Sequence, residues 1–544
     1  MLIMHGSAYT VAQIKGRLYV RKNSPKGYGI YMKMSDYSEE ELDAQRAAQF
    51  DESITFSILV PLYNTPRSFL VDMIESVRNQ TCGDWQLCLA DASDADHGEV
   101  GEICLDYAAR DKRICYRKLE TNLGISGNTN AAIEMAEGDY IALLDHDDVL
   151  HPAALFEMRR VATDRRAELI YTDEATFMSP DIKNIRLIHF KPDYAPDNLL
   201  ANNYICHFMA FRKNLLEKTG SFRSQYDGSQ DHDMVLRLTE VTDRIIHIPR
   251  VLYFWRGHSL STAVNTQSKD YASRAGAQAV QDALVRRGIK ADVTIIHPGI
   301  YRVVYPIPDT PKVSIIIPSC DHVKDLSRCL DSIREKSTYP NYEIIVVENN
   351  SKDPSTFSYY KKICKEWDRV RVIRWKGPFN YSAINNFAVK KTDAGPYLLL
   401  LNNDTEVING GWIEEMLMHA CRREVGAVGA KLYFPNDTVQ HAGVILGMGG
   451  VAAHSFYRNP HKDVGYMGRM LYSQNYSAVT GACMMVHREV WDRVGGLDEN
   501  IAVAYNDVDL CMRIRSADYL IVWTPWAELF HYESASRGDD RADS

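Results

Sequence analysis

Short, almost uninterrupted apolar runs punctuate the chain, each ending in small or acidic residues. SILVPLYN (57–64) and SIIIPSCD (314–321) read as buried strands, and so do the starts of LCLADAS (87–93) and IIVVENNS (344–351). YIALLDHDDVL (140–150) and YLLLLNNDTEV (397–407) have the same character. Between the first and second runs of each set, apolar positions recur at helical spacing, which predicts helices over about 67–79 and 323–336. Apolar strands alternating with helices predict an α/β fold with mainly parallel sheets and right-handed crossovers.

These runs form two copies of one pattern. Pro61 and Pro318, Asp91 and Glu348, and Asp147 and Asp404 are each separated by 257 residues. A fourth pair, SQDHDMVLRL (229–238) and YNDVDLCMRI (505–514), is separated by 276, so the second copy carries about nineteen extra residues. FPNDTVQHAGVILGMGGVAAHS, within 431–475, reads as the hairpin that holds them. The expected division is an N-terminal extension (1–53), a first domain (54–265), a helical linker (266–310) and a second domain (311–544). In the extension, the YVRK and YGIYMK pieces suggest a small β addition.

Composition narrows the class. With 544 residues, 45% hydrophobic and 24% charged, the chain is globular rather than disordered. A net charge of −9 excludes the basic footprint of a nucleic-acid binder. Eleven scattered Cys without a Cys-x-x-Cys pair predict reduced thiols in a cytoplasmic protein. The N-terminal segment lacks the apolar run of a signal peptide, and no apolar run approaches the length of a membrane span.

Ligands of open α/β sheets bind beyond the carboxyl ends of the strands, so the polar residues there carry the candidate chemistry. In the first copy these are Tyr63 and Asn64, then Asp91, then Asp145, His146, Asp147 and Asp148. Closely spaced carboxylates repel, and a hard divalent cation such as Mg²⁺ or Mn²⁺ relieves that repulsion. The alternative is an Asx turn, with Asp148 as N-cap of the following helix. The second copy keeps Asn402, Asn403 and Asp404 at this place. The pairs Asp231/Asp233 and Asp507/Asp509 open helices, where Asp231 and Asp507 serve as general bases or either acid of a pair serves as a cap. His531 lies 24 residues after Asp507, and Trp255 lies at the same distance from Asp231, with Arg256 and His258 nearby. The glycines of NLGISGNTN and GVILGMGGVA fit turns, since neither a P-loop nor a dinucleotide fingerprint surrounds them.

Together these motifs resemble the inverting family 2 glycosyltransferases of the GT-A fold, in tandem. SILVPLYN, LADAS, ALLDHDD and SQDHDMVLRL carry the likeness in the first copy; SIIIPS, VVENNS, NNDTEV, GPFNYSAINNFAV and YNDVDLCMRIR carry it in the second. The NNDTEV…GW stretch is similar to bacterial rhamnosyltransferases of O-antigen and cell-wall polysaccharide assembly. The resemblance implies that Pro61, Tyr63, Asp91, Pro318, Ser319 and Glu348 hold the nucleotide. It implies a sugar-diphosphate and metal site at Asp145 and Asp147, and at Asn402, Asn403 and Asp404, with His531 as a third ligand. Asp231 and Asp507 would be the catalytic bases. The implied cofactor is Mn²⁺ or Mg²⁺, the donor a TDP- or UDP-linked sugar, and the acceptor a lipid-linked glycan at the inner membrane face. Two other readings stand beside this one: a single active domain with a degenerate glycan-binding copy, and a sugar nucleotidyltransferase.

Overall fold

The computed structural model describes residue 32, residues 36–257 and residues 266–532. The chain divides into two units, residues 1–289 with 293–301, and residues 290–292 with 302–544.

The first unit is built on a nine-stranded sheet. Its strands are β1 (Phe56–Leu62), β2 (Trp85–Asp91), β3 (Ile114–Lys118), β4 (Tyr140–Leu143), β5 (Val149–Leu150), β6 (Leu169–Met178), β7 (Asp181–His189), β8 (Met209–Arg212) and β9 (Ile245–Gly257). The order is β3-β2-β1-β4-β8-β6-β9-β5, with β7 paired to β6. β1, β2, β3 and β4 run parallel, whereas β8 is antiparallel to both β4 and β6. Two further strands, β10 (Asp292–His297) and β11 (Ile300–Val304), pair with each other.

The second unit repeats this plan in a ten-stranded sheet. Its strands are β12 (Val313–Ser319), β13 (Tyr342–Asn349), β14 (Val370–Trp375), β15 (Tyr397–Leu401), β16 (Thr405–Val407), β17 (Val425–Tyr433) and β18 (Val439–His441). After them come β19 (Val444–Leu446), β20 (Ala452–His454), β21 (Gln474–Asn475), β22 (Cys483–His487) and β23 (Leu520–His531), with β19 and β20 forming a separate hairpin. The main order, β14-β13-β12-β15-β22-β17-β23-β16, matches that of the first unit strand for strand. Register is conserved too: Phe56 faces Trp85, and Val313 faces Tyr342, each partner displaced by the same 257 residues. Both units thus carry the tandem GT-A, mainly parallel α/β arrangement expected from the sequence.

The apolar runs explain the layers. Strands covered by helices on both faces must be apolar throughout, and Ile315, Ile316 and Ile317 are all fully buried. Ile315 and Ile317 face one core with Leu330 and Trp412, and Ile316 faces another with Ile384 and Trp523. On the helix Val323–Lys336, Leu326, Cys329, Leu330 and Ile333 form the buried stripe that docks it to the sheet.

The helix Thr266–Arg286, within the stretch expected to link the copies, belongs to the first unit. Its Ala279, Val280, Ala283 and Leu284 are fully buried, and Arg286 pairs with Glu240. In the N-terminal extension, Glu39–Ala47 is a helix closed by a reciprocal Ser38–Glu41 capping box. Except for Met32, the two pieces expected to add β structure lie outside the described residues, as does His258. Among the described residues no helix is long and apolar enough to cross a membrane.

Candidate active sites

At the carboxyl end of β1 the chain turns through Asn64, and at the end of β12 through Asp321; both have φ of +49°. Asn and Asp tolerate this left-handed conformation better than other residues with side chains. Each turn is tied to the end of the neighbouring strand. The Asn64 N–H donates to Ser93 Oγ at 2.9 Å, and the Asp321 N–H donates to Ser351 Oγ at 2.9 Å. Pro61 and Pro318 are half-buried, Tyr63 is exposed and Ser319 is buried.

The acids that end the second strands are buried and already engaged. Asp91 accepts from the Ser93 N–H (2.8 Å), from Tyr116 OH (2.9 Å) and from Lys118 Nζ (3.0 Å). Glu348 accepts from the Ser351 N–H (2.6 Å) and lies 3.0 Å from Arg374 Nε. Register places Lys118 opposite Asp91 and Arg374 opposite Glu348, so each copy pairs its acid with a cation from the adjoining strand.

In the second unit, one short segment joins the remaining candidates. The Asn402 N–H donates to the Ala482 carbonyl (3.0 Å), and the neighbouring Gly481 N–H donates to Asp507 Oδ2 (2.9 Å). The strand-end turn and the expected base therefore flank the same two residues. His531 comes from the last residue of β23, opposite Thr405. Its Nδ1 meets Gln440 Oε1 at 2.7 Å, while its Nε2 lies 3.2 Å from Asn402 Nδ2 and 3.2 Å from Asp404 Oδ1. Nδ1 bonds Gln440 and Nε2 pairs with the Asp404 carboxylate as a proton donor; a divalent cation bound to Asp404 would take the place of that proton on Nε2. Burial opposes ionisation of Asp404, but His531 outweighs it and holds the carboxyl below its usual range. A hard carboxylate oxygen beside an oriented imidazole fits Mn²⁺ or Mg²⁺, which Asp404 and His531 would hold.

The first unit assembles its site from different places. Asp145 lies at the end of β4, and His207 Nε2 approaches its Oδ2 to 3.5 Å. The imidazole stacks on Tyr253, with ring centroids 5.0 Å apart and 12° between planes. Asp231 accepts from Asn203 Nδ2 at 2.8 Å and, with Asp147, adds negative potential at Asp145. Burial raises the Asp145 carboxyl, His207 partly offsets this, and Asp147 and Asp231 reinforce it. Asp145, Asp147 and Asp231 thus share one electrostatic environment.

The duplicated acids divide their labour. Asp233 is fully buried and paired with Arg223 and Arg237, and Asp509 pairs with Arg513 at 2.6 Å. The N-cap residues are Ser229 and Tyr505, without side-chain caps, while Asp231 Oδ1 accepts from the His232 N–H (2.9 Å) and Asp507 Oδ1 from the Val508 N–H (2.8 Å) in the first turn. Asp148 does not serve as an N-cap either. The helix Ala154–Asp164 starts without a side-chain cap, and Asp148 is fully buried, accepting from Tyr253 OH (2.5 Å) and the Arg256 N–H (2.7 Å). Arg256, noted as a polar candidate, spans Asp72 and the Asp147 carbonyl inside the fold.

Sequence reasoning missed His207, Gln440 and a buried cluster behind His207. Glu174, His189 and Cys206 bring three ligand atoms within 4.8 Å of one another. Lys191 already supplies the cation there: its Nζ lies 3.1 Å from Glu174 Oε2 and donates to the carbonyls of Ile205 (2.9 Å) and His207. The cluster is therefore an ion pair that fixes the backbone carrying His207, and a second cation would meet the Lys191 ammonium.

Residues 57–220 and 314–495 match Glycosyl transferase family 2, and the chain belongs to that family. It is 46% identical over 490 residues to "Uncharacterized protein y4gI" of Sinorhizobium fredii (strain NBRC 101917 / NGR234), covering 89% of this chain and 54% of that protein. It is 38% identical over 503 residues to "O-antigen biosynthesis protein RfbC" of Myxococcus xanthus, covering 91% of this chain and 39% of that protein. The chain thus spans about half or less of the length of these relatives. Among solved structures, it is similar to the mannosyltransferase PcManGT from Pyrobaculum calidifontis in complex with GDP-Man and Mn²⁺. That match has a TM-score of 0.33 and 17% identity, covering 43% of this chain and 61% of that one.

Proposed function

We propose that each unit transfers a glycosyl residue, with inversion, from a nucleoside-diphospho-sugar to an acceptor hydroxyl in the assembly of a bacterial surface polysaccharide. The observation that carries this reading is the convergence of Asp507 and the Asn402–Asp404 turn on Gly481 and Ala482. In the first unit the support is electrostatic: the Asp147 and Asp231 carboxylates reinforce the upward shift of Asp145. A base and a diphosphate-holding turn on one cleft are what a single displacement at an anomeric carbon requires.

Asp507 and Asp231 accept the proton of the attacking hydroxyl as the new bond forms. The nucleoside diphosphate leaves from the opposite face, so configuration inverts in one step. Asp404 and His531, and Asp145 with Asp147, would hold Mn²⁺ or Mg²⁺, which when bound neutralises charge developing on the departing phosphates. By the motif resemblance, Pro61, Tyr63, Asp91, Pro318, Ser319 and Glu348 would hold the nucleotide, and Asn402 and Asn403 the sugar diphosphate. The motif resemblance supports a TDP-linked donor, TDP-rhamnose first, with UDP-linked sugars next, and a lipid-linked glycan acceptor reached from a peripheral position on the inner membrane face. The relative named for O-antigen biosynthesis supports the polysaccharide class.

The test is release of nucleoside diphosphate from TDP-rhamnose, UDP-hexoses and UDP-galactofuranose, with Mn²⁺ and a lipid-linked acceptor. Asp507→Asn and Asp231→Asn are each expected to lower turnover of their own unit by about 10²–10⁴-fold. Turnover indifferent to both substitutions contradicts the proposal.

A further inference from the structure

We infer that the first unit binds its cation through His207, an imidazole delivered from the segment just before β8, whereas the second unit's imidazole comes from the end of β23. The inference rests on the proposed reading of the strand-end acids as cation sites. Register equates Trp255 with His531: the residue before Val149 on the β5 side faces Trp255, and Thr405 faces His531. The β4–β8 and β15–β22 pairings align Ala210 with Met485, and counting back along the chain brings His207 to Ala482. The imidazole therefore stands at different positions in the two units: the first has His207 and Trp255 where the second has Ala482 and His531.

The difference in position keeps the chemistry. Each imidazole presents Nε2 to a strand-end carboxylate, at 3.5 Å from Asp145 Oδ2 and at 3.2 Å from Asp404 Oδ1. Trp255 leans on the His207 ring at 6.4 Å, and Tyr253 stacks against its face, so the indole that replaced a ligand now helps to wall the new one. The support differs in kind. Gln440 orients His531 through Nδ1, whereas His207 Nδ1 is buried without a hydrogen-bond partner. His207 is held by ring stacking and by Lys191, which grips its backbone carbonyl. One carboxylate and one imidazole leave room for phosphate oxygens, the usual complement of a small divalent ion at such a site.

The experiment is Mn²⁺ titration of the full chain in the presence of UDP, with electron spin echo detection of ¹⁴N coupling to the bound ion. Two nitrogen-coupled Mn²⁺ per unsubstituted chain are expected, and one would overturn the inference without any variant having to fold. His531→Ala should leave one nitrogen-coupled ion, and adding His207→Gln should remove that coupling. Coupling that survives in the double variant, or the absence of any nitrogen-coupled ion in His531→Ala, also overturns it. Failure of the underlying reading looks different: Mn²⁺ stoichiometry would then be unchanged by Asp145→Asn with Asp147→Asn and by Asp404→Asn.

Discussion

The two units share a fold to the level of strand register, yet they support their candidate sites by opposite means. In the second unit the stretch absent from the first supplies Gln440, on β18, to orient His531. Beside it His441 is fully buried, held well below the usual histidine range by burial and by His454 and His531, and so stays neutral. In the first unit no such inserted stretch exists, and a buried ion pair does the positioning: Glu174 on β6 meets Lys191, which clamps the backbone of residues 205–207. Register puts Leu432 where Glu174 stands, since Glu174 faces Tyr253 and Leu432 faces Leu529. A duplicated scaffold thus holds the geometry of a site constant while the residues that enforce it drift apart.

That contrast breaks most readily at Glu174. Glu174→Ala strands the Lys191 ammonium in the interior and is expected to cost about 3–5 kcal/mol in the first unit alone. Thermal or denaturant unfolding followed by fragment-resolved hydrogen exchange would localise the loss. The same pair has a pH signature. Burial opposes ionisation of Glu174, but Lys191 and His189 outweigh it and depress its folded-state pKa. The resulting stability is fully present above the ordinary glutamate value of about 4.3 and is lost as pH falls below it. A stability slope in the acid range that Glu174→Gln removes is the expected result. An acid slope unchanged by the substitution would remove Glu174 from the account.

A smaller effect is expected at Gln440. Gln440→Leu releases the His531 ring and should weaken Mn²⁺ binding in the second unit by about 10–100-fold, leaving the first unit unchanged. Mn²⁺ titration in a His207→Gln background isolates the second unit. Equal weakening in both units would show that Gln440 acts through general stability instead.

Most of the scaffold is legible in the sequence because strands buried on both faces leave near-continuous apolar runs, and duplication writes the pattern twice. The acids are legible as a set but not as individuals. Asp231 and Asp233 look interchangeable until Arg237, one turn along the same helix, and Arg223, from the segment before it, claim the second. Asp148 looks like a cap until Tyr253 and Arg256 enclose it. His207 stands outside every repeated motif, and only the folded chain brings its ring to Asp145. Gln440 lies within the stretch peculiar to the second copy, where comparison of the copies gives no partner to read.

The central claim is that a divalent cation sits at the strand-end acid of each unit, on the same cleft as the aspartate that opens the later helix. Anomalous scattering at the manganese edge, from crystals of the full chain with Mn²⁺ and UDP, measures this directly. The account predicts one peak between Asp404 and His531 and one beside Asp145 and His207. Ordered UDP with no manganese at either acid turn would contradict it.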